Sequence, residues 1–211
     1  MTLPSPPLSF GKGKSVLISG GSISGPSTAW WLNRYGFETT IVERWHEPRG
    51  GGQNIDVRGV GREIITKMGL LDAVKSRNTT AKGLQIVRED GSKIAAFPTS
   101  ANGPFTELEI LRGDFAQVLY NATKESTRYL FGDCIVGIDD EENGTGDKQG
   151  KASVTFQSGR VEDFDIVVVA DGVRSRTRRL VFGDEVELKR LGMCVNFSRD
   201  QDGQDTFPTA E

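Results

Sequence analysis

An apolar run that ends in glycine and opens directly into a helix leaves few folds open to a chain. Residues 16–32, VLISGGSISGPSTAWWL, have that form. Lys14 to Gly20 reads as a short buried parallel strand. Ser24, Gly25 and Pro26 then start a helix, with proline suited to its first turn and Ala29, Trp30 and Leu32 on its apolar side. Gly36 stops it, and the β-branched stretch ETTIVE, Glu38 to Glu43, reads as a second strand. Strand, helix and strand within about 30 residues make a βαβ unit, which predicts an α/β fold with a doubly wound sheet.

The turn nearly fits the fingerprint G-x-G-x-x-G, with Gly20 first, Gly25 last and Ser22 in the middle place. The three glycines of that pattern serve a tight turn, close approach of a pyrophosphate and close helix–strand contact. A helix N-terminus adds free N–H groups and a positive dipole end. The Cβ of Ser22 narrows the approach, while its hydroxyl can donate to a phosphate oxygen. Glu43 follows Gly25 by 18 residues, about where an acid takes ribose hydroxyls and repels a 2′-phosphate. Gly20, Ser22, Ile23, Gly25 and Glu43 are therefore candidate cofactor-binding residues. An ordinary strand–helix turn with a surface glutamate is the alternative, and the fingerprint does not choose between NAD and FAD.

Composition narrows the field by exclusion. The net charge of −3 gives no reason to expect a nucleic-acid partner. Cys134 and Cys194 lack C-x-x-C spacing and read as a reduced pair in a cytoplasmic protein. His46 is the single histidine, so no His-based triad and no His-rich metal site is expected. The Pro/Ser-rich residues 1–13 read as a flexible leader without a signal-peptide pattern. The longest apolar run, Ile166 to Ala170, falls far short of a membrane span. Asn78, Asn121 and Asn143 begin N-x-S/T triplets that carry little weight without a secretory signal.

Further along, residues 49–59 form a glycine-dense loop, and Val60 to Val74 has helical spacing through Ile64, Ile65, Met68 and Leu71. Residues 81–97 alternate around an Asp-Gly hairpin signal, with Leu108 to Leu111 as a third strand of that small sheet. Asp114 to Thr123 is amphipathic. Strands resume at Tyr129, with DDEENGTGDKQGK as a solvated hairpin tip, and FDIVVVADG reads as a strongly buried strand. LKRLGMCVNF reads as a last strand. A βαβ unit, an inserted antiparallel patch and a return to the parallel sheet describe the order.

Four segments together resemble the FAD-dependent monooxygenases of the aromatic-hydroxylase type: ISGGSISGP, VERWHEPRGGGQNIDVRG, EILRGDFAQVL and DIVVVADGVRSRTRRLVFG. The resemblance runs from about Lys14 to Phe197. It implies a Rossmann-like FAD-binding domain, with Arg44 and Gln53 beside the flavin, Arg112 reaching the FAD, and Asp171 and Gly172 in an A-D-G-x-x-S-x-x-R motif completed by Ser175 and Arg178. The residues support this on their own chemistry. Arg112 stands where a strand meets a helix, and its guanidinium can fork onto phosphate or hydroxyls. Asp171 follows an apolar strand and so lies at the carboxyl edge of the sheet, as ligand, as helix N-cap, or as both at once. Gln53 reads equally as a ligand and as a polar loop residue, and Arg174, Arg176 and Arg179 as a solvated face.

The resemblance implies residues 14–80 as the FAD-binding βαβ unit with its following helix and 81–111 as an inserted substrate-side patch. Residues 112–185 then return to the FAD-binding domain, and 186–211 start a truncated substrate domain. The implied activity is hydroxylation or epoxidation of a small organic substrate, aromatic or polyketide/terpenoid-like, with FAD, NAD(P)H and oxygen. No catalytic residue is assigned, and oligomeric state is open. The later flavin-side segment of the family has no match here, so weak FAD affinity and negligible coupled oxygenation are expected of the chain, as a fragment, a truncated product or a non-catalytic relative. The rivals are an NAD-dependent dehydrogenase and a non-catalytic binding or regulatory module.

Overall fold

The computed structural model describes residues 10–79, 83–98, 108–140 and 150–185, with 189 and 192. Most of the expected leader, residues 141–149 of the acidic tip, Cys194 and most of the strand expected over 188–197 lie outside the described residues. The strands, in chain order, are β1 (Ser15–Ser19), β2 (Glu38–Glu43), β3 (Asn54–Asp56), β4 (Gly83–Val87), β5 (Lys93–Pro98) and β6 (Glu109–Leu111). Then come β7 (Thr127–Phe131), β8 (Ile135–Asp140), β9 (Ala152–Phe156), β10 (Val161–Phe164) and β11 (Ile166–Val169). The helices are α1 (Ser24–Arg34), α2 (Gly59–Lys67), α3 (Leu71–Lys75), α4 (Arg112–Thr123) and α5 (Arg176–Phe182). Two units divide the chain: residues 1–50 with 113–189, and residues 51–112 with 190–211.

In the first unit, Val16, Leu17 and Ile18 of β1 have no exposed surface, which requires cover on both faces of the strand. A four-stranded parallel sheet in the order β11-β1-β2-β7 supplies the neighbours. Val16, Ile18 and Ile41 pack with Ala29 of α1 on one face. Leu17 and Val42 pack on the other with Ile135, Val154, Phe156 and Phe164, from the antiparallel sheet β10-β9-β8. Helix, parallel sheet and antiparallel sheet thus form three layers, each fully buried aliphatic side chain contributing roughly 1.5–3 kcal/mol. Gly36, at φ 85°, ends α1: its N–H bonds Asn33 O, and that of Phe37 bonds Leu32 O, the paired bonds of a Schellman stop.

Three expectations need correction. The strand in FDIVVVADG is not strongly buried: Ile166 is 40% and Val169 37% exposed, because β11 ends the described sheet and has only β1 beside it. The spacing from Val60 to Val74 spans two helices rather than one. Gly69, at φ 74°, repeats the Schellman stop: its N–H bonds Thr66 O, and that of Leu70 bonds Ile65 O. Ile65, Met68 and Val74 are buried while Ile64 is exposed. Finally, residues 109–111 do not join the hairpin β4–β5. They pair antiparallel with β3, a strand inside the glycine-dense loop, where Asn54 Nδ2 also bonds Glu109 Oε2. These elements belong to the second unit.

Two aspartates fasten the first unit and give it a defined response to acid. Asp165 accepts the N–H and hydroxyl of Ser15, at 2.8 and 2.9 Å, so it ties the start of β1 to the residue before β11. Those bonds, the backbone one foremost, hold its carboxyl below the ordinary 3.8 against the effect of burial. For Asp133 burial alone would raise the value, but bonds from Ser158 and Cys134, with Arg160 nearby, lower it. A lowered folded value means stability that is present above 3.8 and lost as pH falls through the folded value. Urea titrations across acid pH should therefore show a falling limb below about pH 4, and Asp133→Asn and Asp165→Asn should each flatten it.

Candidate cofactor site

Because all four strands of the main sheet are parallel, their carboxyl ends share one edge, the edge where open α/β sheets bind ligands. The strand order decides what lies there. Glu43 ends β2 on one side of β1, Asp171 follows β11 on the other, and the glycine turn 20–25 leaves β1 between them. The structure brings Gly20, Ser22, Ile23, Gly25, Glu43, Asp171 and Gly172 to this edge, with Arg44 exposed beside Glu43.

The turn leaves no room for side chains at its glycines. Gly20 has φ 108°, and a Cβ on it would stand 2.6 Å from Ala170 O. A Cβ on Gly25 would lie well inside van der Waals contact with the Gly20 carbonyl oxygen. Gly21 is also held close: its added Cβ would meet Glu43 Cβ at 3.0 Å. Past the turn, the N-cap of α1 is Ile23, which offers no side-chain bond, and the first turn holds no acid. The N–H groups of Ser24 and Gly25 have no intrahelical partner, and Pro26 has none to present. A helix start of this kind favours an anion.

Glu43 serves the turn as well as facing the edge. Its Oε2 accepts the Gly21 N–H at 2.7 Å and its Oε1 the Trp45 N–H at 3.1 Å. A carboxylate has about four acceptor positions, so one further donor per oxygen can still be taken. Asp171 is arranged differently. Its Oδ2 accepts the Thr177 hydroxyl at 3.0 Å and, at 3.4 Å, the Thr177 N–H. Its Oδ1 is buried without a hydrogen-bond partner among the described residues.

Beside Asp171 lies a cleft of about 460 Å³ lined by Ser24, Thr28, Val168, Ala170, Ser175 and Arg178 among others. The N-cap of α5 is Ser175, whose Oγ accepts the Arg178 N–H at 2.8 Å. Ser175 occupies the N-cap position, and Asp171 shares in capping through the Thr177 N–H. Gly172 turns the chain at φ 85°, and Arg174, Arg176 and Arg179 are exposed. Ser19 and Thr177 escaped the sequence reading: both are hydroxyls at positions that a motif leaves free, and only the fold joins them to Asp171.

Arg112 and Gln53 belong to the second unit. As expected, Arg112 stands at a strand–helix junction, between β6 and α4. Its N–H bonds Gln53 O and its Nη2 bonds Gly51 O, both at 3.0 Å. Gly52, at φ 102°, lies so near the guanidinium that a Cβ would meet Nε at 2.5 Å. The glycine-dense loop is therefore shaped around Arg112, and Gln53 is exposed.

A glycine turn against a helix start, flanked by a glutamate one strand away and an aspartate on the other side, defines a dinucleotide-binding α/β domain. Comparison with known proteins decides between the two dinucleotides. Residues 14–189 match the family model described as FAD binding domain, and the chain belongs to that family. It is 40% identical over 184 residues to the uncharacterized protein MT1298 of Mycobacterium tuberculosis, covering 85% of this chain and 48% of that protein. It is 36% identical over 205 residues to the flavin-dependent monooxygenase eupH of a Phoma species, covering 91% of this chain and 46% of that one. Among solved structures, tetracycline destructase Tet(55) superposes with TM-score 0.69 at 30% identity, over 85% of this chain and 42% of that chain. The chain spans about half the length of the curated relatives it matches. FAD is the cofactor of this fold, and the residues present fit it: a turn that a Cβ would fill, and a buried aspartate oxygen without a donor among the described residues.

Proposed function

We propose that the chain is the FAD-binding part of a flavin-dependent monooxygenase acting on a small organic substrate, aromatic or polyketide/terpenoid-like, with NAD(P)H and oxygen. The observation that carries this reading is the placement of Glu43 and Asp171 on either side of the glycine turn. Glu43 accepts the adenosine ribose hydroxyls. The N–H groups at the start of α1 face the pyrophosphate, with the Ser22 hydroxyl and Ile23 beside them. Asp171 accepts a hydroxyl of the far half, at the turn made by Gly172. Arg44, Gln53 and Arg112 are further cofactor contacts, and Glu43 disfavours a 2′-phosphate in its own position. FAD supplies the redox and oxygen chemistry when bound; the protein orients it and keeps water from its reactive side. The segment 81–111 is the substrate-side patch, 186–211 begins a substrate domain, and the protein is cytoplasmic. No described helix is long and apolar enough to cross a membrane.

The test is a titration of the purified chain with FAD, followed by flavin fluorescence, with ADP as competitor. Saturable uptake that ADP reverses is the expected result. Uptake of neither nucleotide overturns the reading, and retention of NAD in place of FAD would support a dehydrogenase.

A further inference from the structure

Thr177 is 2% and Ser19 6% exposed, yet both are polar, and their hydroxyls lie 3.0 Å apart. Burial of two hydroxyls is costly unless each finds a partner. Proton counting fixes the direction of the chain they form. A carboxylate only accepts, so the single hydroxyl proton of Thr177 is committed to Asp171 Oδ2 at 3.0 Å. Thr177 can then only accept from Ser19, which donates. Ser19, at the end of β1, thus polarises Thr177, in the first turn of α5, and Thr177 in turn grips one oxygen of Asp171. Gripping Oδ2 leaves Oδ1 buried without a donor among the described residues.

We infer that Ser19 and Thr177 are positioning residues that hold Asp171 with one oxygen satisfied and the other set to accept from a ligand hydroxyl. The inference rests on the FAD reading and deepens it. An acceptor with no donor beside it takes a polyol hydroxyl and repels a phosphate. Asp171 flanks the turn on the side away from Glu43, so the group it takes belongs to the half of the dinucleotide beyond the pyrophosphate. The hydroxyl chain therefore acts on the flavin-bearing half and leaves the adenosine half alone.

The test compares FAD and ADP affinities, by fluorescence and calorimetric titration, for the full chain and three variants. Thr177→Val should weaken FAD about 5–20-fold, through loss of a bond to a charged acceptor, while ADP affinity stays within about twofold. Thr177→Ser, which keeps the hydroxyl, should restore most of the FAD affinity. Ser19→Ala, which removes only the polarising donor, should cost FAD about twofold to fourfold with ADP unchanged. A merely structural role would lower both affinities together. Should Thr177→Val not fold, the ratios for Thr177→Ser and Ser19→Ala decide the matter. An unchanged FAD-to-ADP ratio in the folded variants, with the wild type binding FAD, overturns the positioning role and leaves the FAD reading standing. A wild type that binds neither nucleotide overturns both.

Discussion

Gly25→Ala is expected to abolish measurable FAD uptake and to lower the thermal midpoint by roughly 3–10 °C. Helix propensity alone argues the other way, since alanine is favoured over glycine by about 1 kcal/mol inside a helix. Packing decides the sign. The new methyl would overlap the Gly20 carbonyl oxygen, a backbone atom with no rotamer to escape into. Gly20 has little room of its own, since a Cβ on it would stand 2.6 Å from Ala170 O and 2.9 Å from the Asp171 Cα. Overpacking of this kind costs roughly 1–3 kcal/mol, occasionally more. The strain falls on the turn that sets the N–H groups of α1 toward the ligand, so binding suffers beyond the stability loss. Differential scanning fluorimetry and flavin titration on one preparation check both parts. A variant that keeps wild-type uptake would show that Gly25 does not close the turn against the phosphate.

The elements legible in the sequence are those whose cause is local. β1, α1 and β2 follow from an apolar run, a proline in a first turn, a glycine stop and a β-branched stretch, and each of those causes acts within a few residues. The Schellman bonds at Gly36 show the stop working as read. At Gly69 the same local device was present but masked, since the apolar spacing continues across it into α3. What stayed hidden depends on contacts between distant residues. Nothing near residues 54–56 announces a strand, because its partner lies at 109–111. Nor does the composition of IVVV tell an edge strand from a central one: both are apolar, and only the neighbours differ.

The site divides in the same way. The positions of Gly20, Gly25 and Glu43 around the turn were legible because fixed spacing sets them, and that of Asp171 because it closes an apolar strand. The need for Gly21 was not. It arises from the Glu43 side chain crossing above it, 22 residues later in the chain. Gly21, next to Ser22 in the turn, gives its N–H to Glu43 and would meet the Glu43 Cβ at 3.0 Å if it carried a Cβ.

Glu43→Ala should weaken FAD by about 10–100-fold, and ADP by the same factor. In the proposed function the carboxylate has two tasks, and the variant loses both. It forfeits the acceptor for ribose hydroxyls, and hydrogen bonds to charged groups contribute about 1.5–3 kcal/mol each. It also strands the N–H of buried Gly21, which costs about 1–3 kcal/mol when left unsatisfied and loosens the turn. Glu43→Gln separates the two tasks. One amide oxygen can still accept from Gly21, so the thermal midpoint should stay near wild type. The amide nitrogen then presents donors where the Trp45 N–H and a ribose hydroxyl also donate, and affinity should fall by about tenfold. Parallel losses of FAD and ADP distinguish this position from Thr177, where the two part company. If Glu43→Ala left ADP binding intact while unfolding earlier, the glutamate would be only a brace for the turn, and the adenosine would have to lie elsewhere.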